Sequence, residues 1–276
     1  MKMPESNSPS LFDRAALSTH RNRVQDDALF LHRCAVSEVQ DRLSMVNRTF
    51  TTPAVVTPFP HLWEGALPDA VLVADDEVLP LQSGRHDLMI HAMALHWAND
   101  PVGQLIQCNR ALKPDGLMIA VCLGGETLHE LRAALGQAEI DVTGGLSPRI
   151  SPMAELRDLG ALLQRAGLSL PVADNMALKA EYSDIWHLMR DLRDMGETNA
   201  LTARLKHPTR RIVFEKAQHH YVDHFRTAEN RLIATFDLIC LTGWSPDDGQ
   251  PKPLRPGSAQ MRLAEALGTD EAKLRD

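Results

Sequence analysis

The chain predicts an α/β fold with a mainly parallel sheet and crossover helices, and three stretches carry that expectation. "HDLMIHAMAL" (86–95) and "LMIAVCL" (117–123) are apolar runs of strand length, and the second is continuous, of the kind covered on both faces. Between them "DPVGQLIQCNRAL" (100–112) is amphipathic at helical spacing, with Asp100 as N-cap and Pro101 at the first helical position. Strand, helix, turn and strand in this order form a crossover unit, and such units build parallel sheets.

Taken from the start, residues 1–10 are polar and rich in Pro and Ser, which reads as a disordered lead-in. From Leu11 to about Val46 the pattern is helical, with Leu31, Ala35, Val39, Leu43 and Val46 at three- and four-residue steps. In "TFTTPAVVTPFP", Pro53, Pro58 and Pro60 exclude a helix and leave a short strand, Ala54–Thr57. "HLWEGAL" (61–67) has room for a turn or two of helix, closed by Gly65 and stopped by Pro68, and "AVLVAD" (70–75) reads as a buried strand. "KPDG" (113–116) is a turn in which Pro114 presets φ and Gly116 accepts positive φ. Beyond Gly124 the pattern gives helix 126–141, a Gly-Gly turn, helix 152–166, strand 172–180, helices 183–195 and 209–225, and a last strand within 234–244. The main domain is expected over 11–245, followed by a Pro-rich tail, 246–276, that closes in a short helix.

Composition narrows the function. With 276 residues and 44% hydrophobic content the chain can bury a sizeable core. Its formal net charge is -7 and its Lys and Arg are scattered, so nucleic acid is not expected as a partner. "HPTRR" (207–211) reads as a solvated helix end. No apolar run approaches the roughly 18 residues of a membrane span. "MKMPESNSPSLFDR" has no hydrophobic stretch of the signal-peptide type, so a cytoplasmic location is expected. Cys34, Cys108, Cys122 and Cys240 lie far apart among apolar neighbours, which favours buried thiols over a disulfide or zinc site.

Several stretches carry chemistry. Asp75, Asp76 and Glu77 follow a strand, where open α/β sheets bind ligands; a carboxylate there can accept from an adenine amine or a ribose hydroxyl, or be a solvated acidic turn. His96 and Trp97, at the end of the next strand, can wall a pocket and are the candidate catalytic pair, or can pack a strand end. "LGGETLHELR" (123–132) offers amides to an anion, or a tight strand–helix turn. Arg149, in "TGGLSPRISP", can grip a carboxylate or face water. His220 and His224 share a helix face but lack a third ligand and read as structural. His86, His91 and His96 alternate faces of one strand and do not converge. No metal site is expected, because no spacing presents two His and a carboxylate as a facial triad.

Taken together, "ADDEVLPL", "HDLMIHAMALHWANDP", "ALKPDGLMIA", "LGGETLHELR", "GGLSPRISP", "MRDLRDMGETNAL" and "GWSP…QPKPLRPGSA" resemble class I S-adenosylmethionine (SAM) methyltransferase-fold proteins. The resemblance runs from about Leu11 to Leu267. It points to the branch of mitochondrial complex I assembly factor 5 and its alphaproteobacterial relatives, with the malonyl carrier-protein methyltransferase of biotin synthesis more distant. It implies a seven-stranded Rossmann-like sheet with a helical insertion near 143–210, and SAM as cofactor. It also implies a protein substrate, an arginine on an iron–sulfur subunit of complex I, met in the cytoplasm or peripherally at the inner membrane. By motif match, Asp75 falls at the adenine with Asp76 and Glu77 beside it, and Leu95, His96 and Trp97 fall where cofactor and substrate meet.

One stretch departs from that family. The interval from Phe50 to Leu79 is about 30 residues, too short for the usual first βα units. Its first strand leads into Pro58-Phe59-Pro60, with neither the Gly-x-Gly turn nor the acid that binds the ribose. Proline removes an amide donor and phenylalanine fills space, so ordinary SAM binding is not expected. Two readings follow: an enzyme modifying a protein arginine, or a degenerate, non-catalytic assembly module.

Overall fold

The computed structural model describes residues 10–251, together with residues 261 and 268; the lead-in over 1–9 and the closing helix of the tail lie outside these residues. The chain divides into Met1–Pro246 and Asp247–Asp276. In the second unit, Asp247 Oδ1 accepts the Gly249 N–H at 2.8 Å.

In the first unit the helices are α1 (Arg14–Arg21), α2 (Phe30–Met45), α3 (His61–Glu64), α4 (Pro101–Ala111), α5 (His129–Thr143), α6 (Leu156–Arg165), α7 (Ile185–Asp194) and α8 (Arg211–His224). The strands are β1 (Pro53–Val56), β2 (Val71–Val73), β3 (His86–Ala92), β4 (Leu112–Gly124), β5 (Ser169–Tyr182) and β6 (Leu232–Trp244). They form a six-stranded sheet in the order β2-β1-β3-β4-β6-β5. The first four are parallel, while β6 runs antiparallel to both β4 and β5. The resemblance implies seven strands; the shortened interval between β1 and β2, holding only the four-residue α3, accounts for one fewer. The 143–210 stretch contributes β5 as well as helices.

The period-two alternation of the strands sorts side chains onto two cores. Leu88, Ile90, Ile119 and Val121 face α2, α5 and α8, whereas Met89, Met118, Ala120 and Cys122 face α4 and α6. Helix starts follow local chemistry: Asp13, Asp100 and Asp184 accept from Ala16, Gly103 and His187 amides at 3.0, 2.8 and 2.8 Å.

Four expectations are corrected. The helix expected over Leu11–Val46 is two helices, because residues 22–29 turn and the Gln25 N–H donates to the Asp194 carbonyl at 2.8 Å. β2 is an edge strand rather than a buried one, with Val71 50% exposed. The 113–116 turn is drawn into β4, and Asp115 (φ 58°), not Gly116, takes the left-handed conformation. The helix expected from 126 starts at His129 after a left-handed Leu128 (φ 56°).

Candidate functional site

The parallel strands end on one edge of the sheet, and both candidate regions lie there. Where β1 and β2 end, the turn Thr57-Pro58-Phe59-Pro60 closes tightly: the Thr57 N–H donates to the Val73 carbonyl at 2.9 Å and the Phe59 N–H to Thr57 Oγ1 at 3.2 Å. Phe59 is buried and packs edge-on to the His32 ring, centroids 4.8 Å apart. At the end of β2, both Asp75 oxygens are taken by α1. Arg21 Nη1 donates to them at 2.7 and 2.9 Å, Arg14 Nη1 to Oδ2 at 3.2 Å, and Arg14 Nη2 to the Asp75 carbonyl at 2.6 Å. A cleft of about 360 Å³ remains here, lined by Arg14, Arg21, Pro58, Pro60, Asp75 and the exposed Asp76.

These residues do not fit SAM. The amides that should approach its methionine part are absent or engaged, and Phe59 occupies the turn. The Asp75 carboxylate expected at the adenine is already neutralised by two guanidinium groups. Leu95, expected beside the cofactor, is buried in the core with Val56, Val73 and Met89.

His96 and Trp97 come together with a residue that sequence reading did not single out. Glu197, just past α7, accepts from His96 Nε2 at 3.2 Å and from Trp97 Nε1 at 2.9 Å, both on Oε2. Its Oε1 lies 4.0 Å from His32 Nε2, beyond hydrogen-bond distance. Burial opposes ionisation of Glu197, yet His96 foremost, with Arg21 contributing less, outweighs it and holds the carboxyl below its ordinary value. Burial drives His32 down to about 4, so that ring is neutral at pH 7.

Two histidines and a carboxylate are thus gathered, but not as a metal triad. His96 Nδ1 accepts the Leu123 N–H at 3.3 Å, which leaves the ring proton on Nε2, pointing at Glu197. A metal ligand needs the opposite tautomer at Nε2. Among the described residues no group of three or more His, Cys, Asp or Glu has the geometry to hold a metal.

Glu197 and Trp97 line a cavity of about 530 Å³ between α1, α7 and the 148–153 loop. His20, Ser151 and Thr198 line the same cavity, although His20 Nδ1, Ser151 Oγ and Thr198 Oγ1 are themselves buried beneath its wall. Cavities of this size hold small ligands or single side chains of a partner. Arg149, at its wall, does grip a carboxylate: Nη2 and Nε donate to Glu139 at 2.7 and 3.0 Å. That bond and those from Ser147 hold Glu139 near 2 against the burial that would raise it.

In the other stretches the polar groups meet partners within the protein. The Glu126 N–H donates to Asp237 Oδ2 at 2.9 Å, so the "LGGETLHELR" turn has no free amide there for an anion. His220 pairs with Asp141 at 3.0 Å, His91 with Gln104 at 3.3 Å, and His86 with the Thr52 carbonyl at 3.1 Å. The four cysteines are free, and burial pushes Cys108, Cys122 and Cys240 up to about 12. Arg14, Arg21 and His32 escaped sequence reading because a helix pattern does not say what the helix covers. Glu197 sits in the quoted "MGETNAL", but its partner His96 is 101 residues away.

Comparison with known proteins agrees with this picture at the level of family. A family described as "Methyltransferase domain" matches residues 58–120. "Arginine-hydroxylase NDUFAF5, mitochondrial" of Danio rerio is 35% identical over 234 residues, 84% of this chain and 73% of the relative. "Malonyl-[acyl-carrier protein] O-methyltransferase" of Methylovorus sp. (strain MP688) is 36% identical over 173 residues, 63% of this chain and 56% of the relative. Of solved structures, the YcgJ protein of Bacillus subtilis aligns with a TM-score of 0.47 and 12% identity, over 77% of this chain and 98% of that one. On the identity and coverage of the first of these relatives, the chain belongs to the methyltransferase-fold family, in the branch of the arginine-hydroxylase NDUFAF5 proteins.

Proposed function

We propose that this protein takes an arginine side chain of a protein partner into the Glu197 cavity, that the partner is a complex I subunit during assembly, and that SAM-dependent methyl transfer is not its reaction. The observation that carries the reading is Glu197. It is a nearly buried carboxylate in a cavity of about 530 Å³, held ionised, with Oε2 anchored by His96 and Trp97 and Oε1 beyond hydrogen-bond distance of His32. A guanidinium suits such a group, because it is always charged and can donate a charge-assisted bond to the remaining Oε1. What these residues contribute is placement of the arginine and exclusion of water; the name of the NDUFAF5 relatives supports arginine as the target.

A second reading, capture of the partner without chemistry, is favoured by the filled β1 turn and the neutralised Asp75. On either reading the protein works in the cytoplasm and meets its partner at the inner membrane.

Calorimetric titration of the purified protein tests the proposal. A short arginine peptide should bind, its lysine counterpart should bind more weakly, and Glu197→Gln should weaken the arginine peptide more than about tenfold. SAM and its demethylated product should give no heat. Micromolar SAM binding, or peptide binding indifferent to Glu197→Gln, overturns it.

A further inference from the structure

The charges around the Glu197 cavity form a pattern, with one anion inside and cations at the entrance. Four arginines line it: Arg23, Arg149, Arg193 and Arg204. Two are neutralised internally, Arg149 by Glu139 at 2.7 Å and Arg204 by Asp13 at 2.9 Å. Arg23 and Arg193 are exposed and have no ion pair among the described residues. They sit on adjoining segments, Arg23 just after α1 and Arg193 in the last turn of α7, held together by the Gln25 N–H to Asp194 carbonyl bond of 2.8 Å. In a chain of net charge -7 this cationic lip is a local feature, not a consequence of composition.

A lone guanidinium approaching Glu197 must pass two like charges. An acidic neighbour on the same segment turns that repulsion into pairing, which is how charge selects among partners. Trp186 (40% exposed) lies on α7 with its ring 5.3 Å from that of Phe214 in the cavity wall, and offers apolar contact to the rest of a peptide.

Resting on the reading of the cavity as an arginine site, we infer that the partner segment carries an acidic side chain close to its target arginine, and that Arg23 and Arg193 read it. Neither residue touches the guanidinium; both act on specificity and on the rate of encounter. A basic peptide with several arginines is a poor ligand.

Fluorescence anisotropy with the full chain and three fluorescein-labelled peptides tests this. One holds an Arg with a Glu two residues away, the second replaces that Glu by Gln, and the third replaces the Arg by Lys. The Gln peptide should bind about fivefold more weakly than the Glu peptide, with the difference shrinking at high salt. In the double variant Arg23→Glu/Arg193→Glu the order should reverse, so that the Gln peptide binds better. Because the Glu–Gln comparison is made on the wild-type protein, it stands even where the double variant fails to fold. Equal binding of the Glu and Gln peptides, both above the Lys peptide, overturns the acidic neighbour and leaves the arginine site intact. Binding of none of the three, or of all equally, overturns the arginine site itself and this inference with it.

Discussion

Glu197 shows how much one side chain depends on its surroundings. Burial alone would raise this carboxyl above its ordinary value; the surrounding charged and hydrogen-bonding groups, His96 foremost, hold it below. The same burial acts on histidines in the opposite sense, lowering both His32 and His91 from 6.5 to about 4. The unfolded chain takes up protons on these rings near pH 6.5 and the folded chain only near 4. Between those values the unfolded state binds more protons, so stability is full above 6.5 and declines as the pH falls toward 4. His20 is lowered by burial in the same sense, so His32→Leu removes one of several titrations, and urea midpoints followed across this window should show a smaller slope than wild type. An undiminished slope would mean that His32 does not titrate in this way.

Among the elements, the turns after β1 and β4 are built on opposite principles. After β1, two prolines and a buried Phe59 close the turn against a ligand. After β4, Gly125 (φ 52°) has no room for a side chain, since a Cβ would come 2.5 Å from Asp237 Oδ2. That carboxylate in turn holds the Glu126 amide. Gly125→Ala should therefore cost about 2 kcal/mol, from the strained φ and the displaced Asp237 together. Thermal unfolding measures this, and a cost near zero would show that the turn is not held by that contact. The glycines were legible as a strand-end turn, but whether their amides served an anion or the protein itself was not. The deciding partner, Asp237, lies on β6, 111 residues from Glu126.

For the whole molecule, the short β1–β2 connection and the placing of α1 over the sheet edge act together. The shortened interval leaves the edge open, and α1 covers it with Arg14 and Arg21 on Asp75. If this cover has replaced the cofactor, SAM at high concentration should leave the melting temperature unchanged. A ligand present at a hundred times its dissociation constant stabilises by about 2.7 kcal/mol, a shift of several degrees in a chain of this size. A shift of that kind with SAM would show that α1 yields and that the cofactor still binds.

The sequence by itself determined what local chemistry can specify. Alternating strands and amphipathic helices, Asp100 and Pro101 at the start of α4, and prolines that deny the β1 turn its amides are each read within a few residues. It also located His96, Trp97 and Asp75 at strand ends. Only the tertiary structure decided what meets them: Arg14 and Arg21 on Asp75, and Glu197 on His96 and Trp97. These contacts join residues 54 to 101 positions apart, and no periodicity records them. They exist because the β2 end meets the N-terminal helix, and the β3 end the segment after α7, along one edge of the sheet. Burial there turns each charge into a demand for a partner.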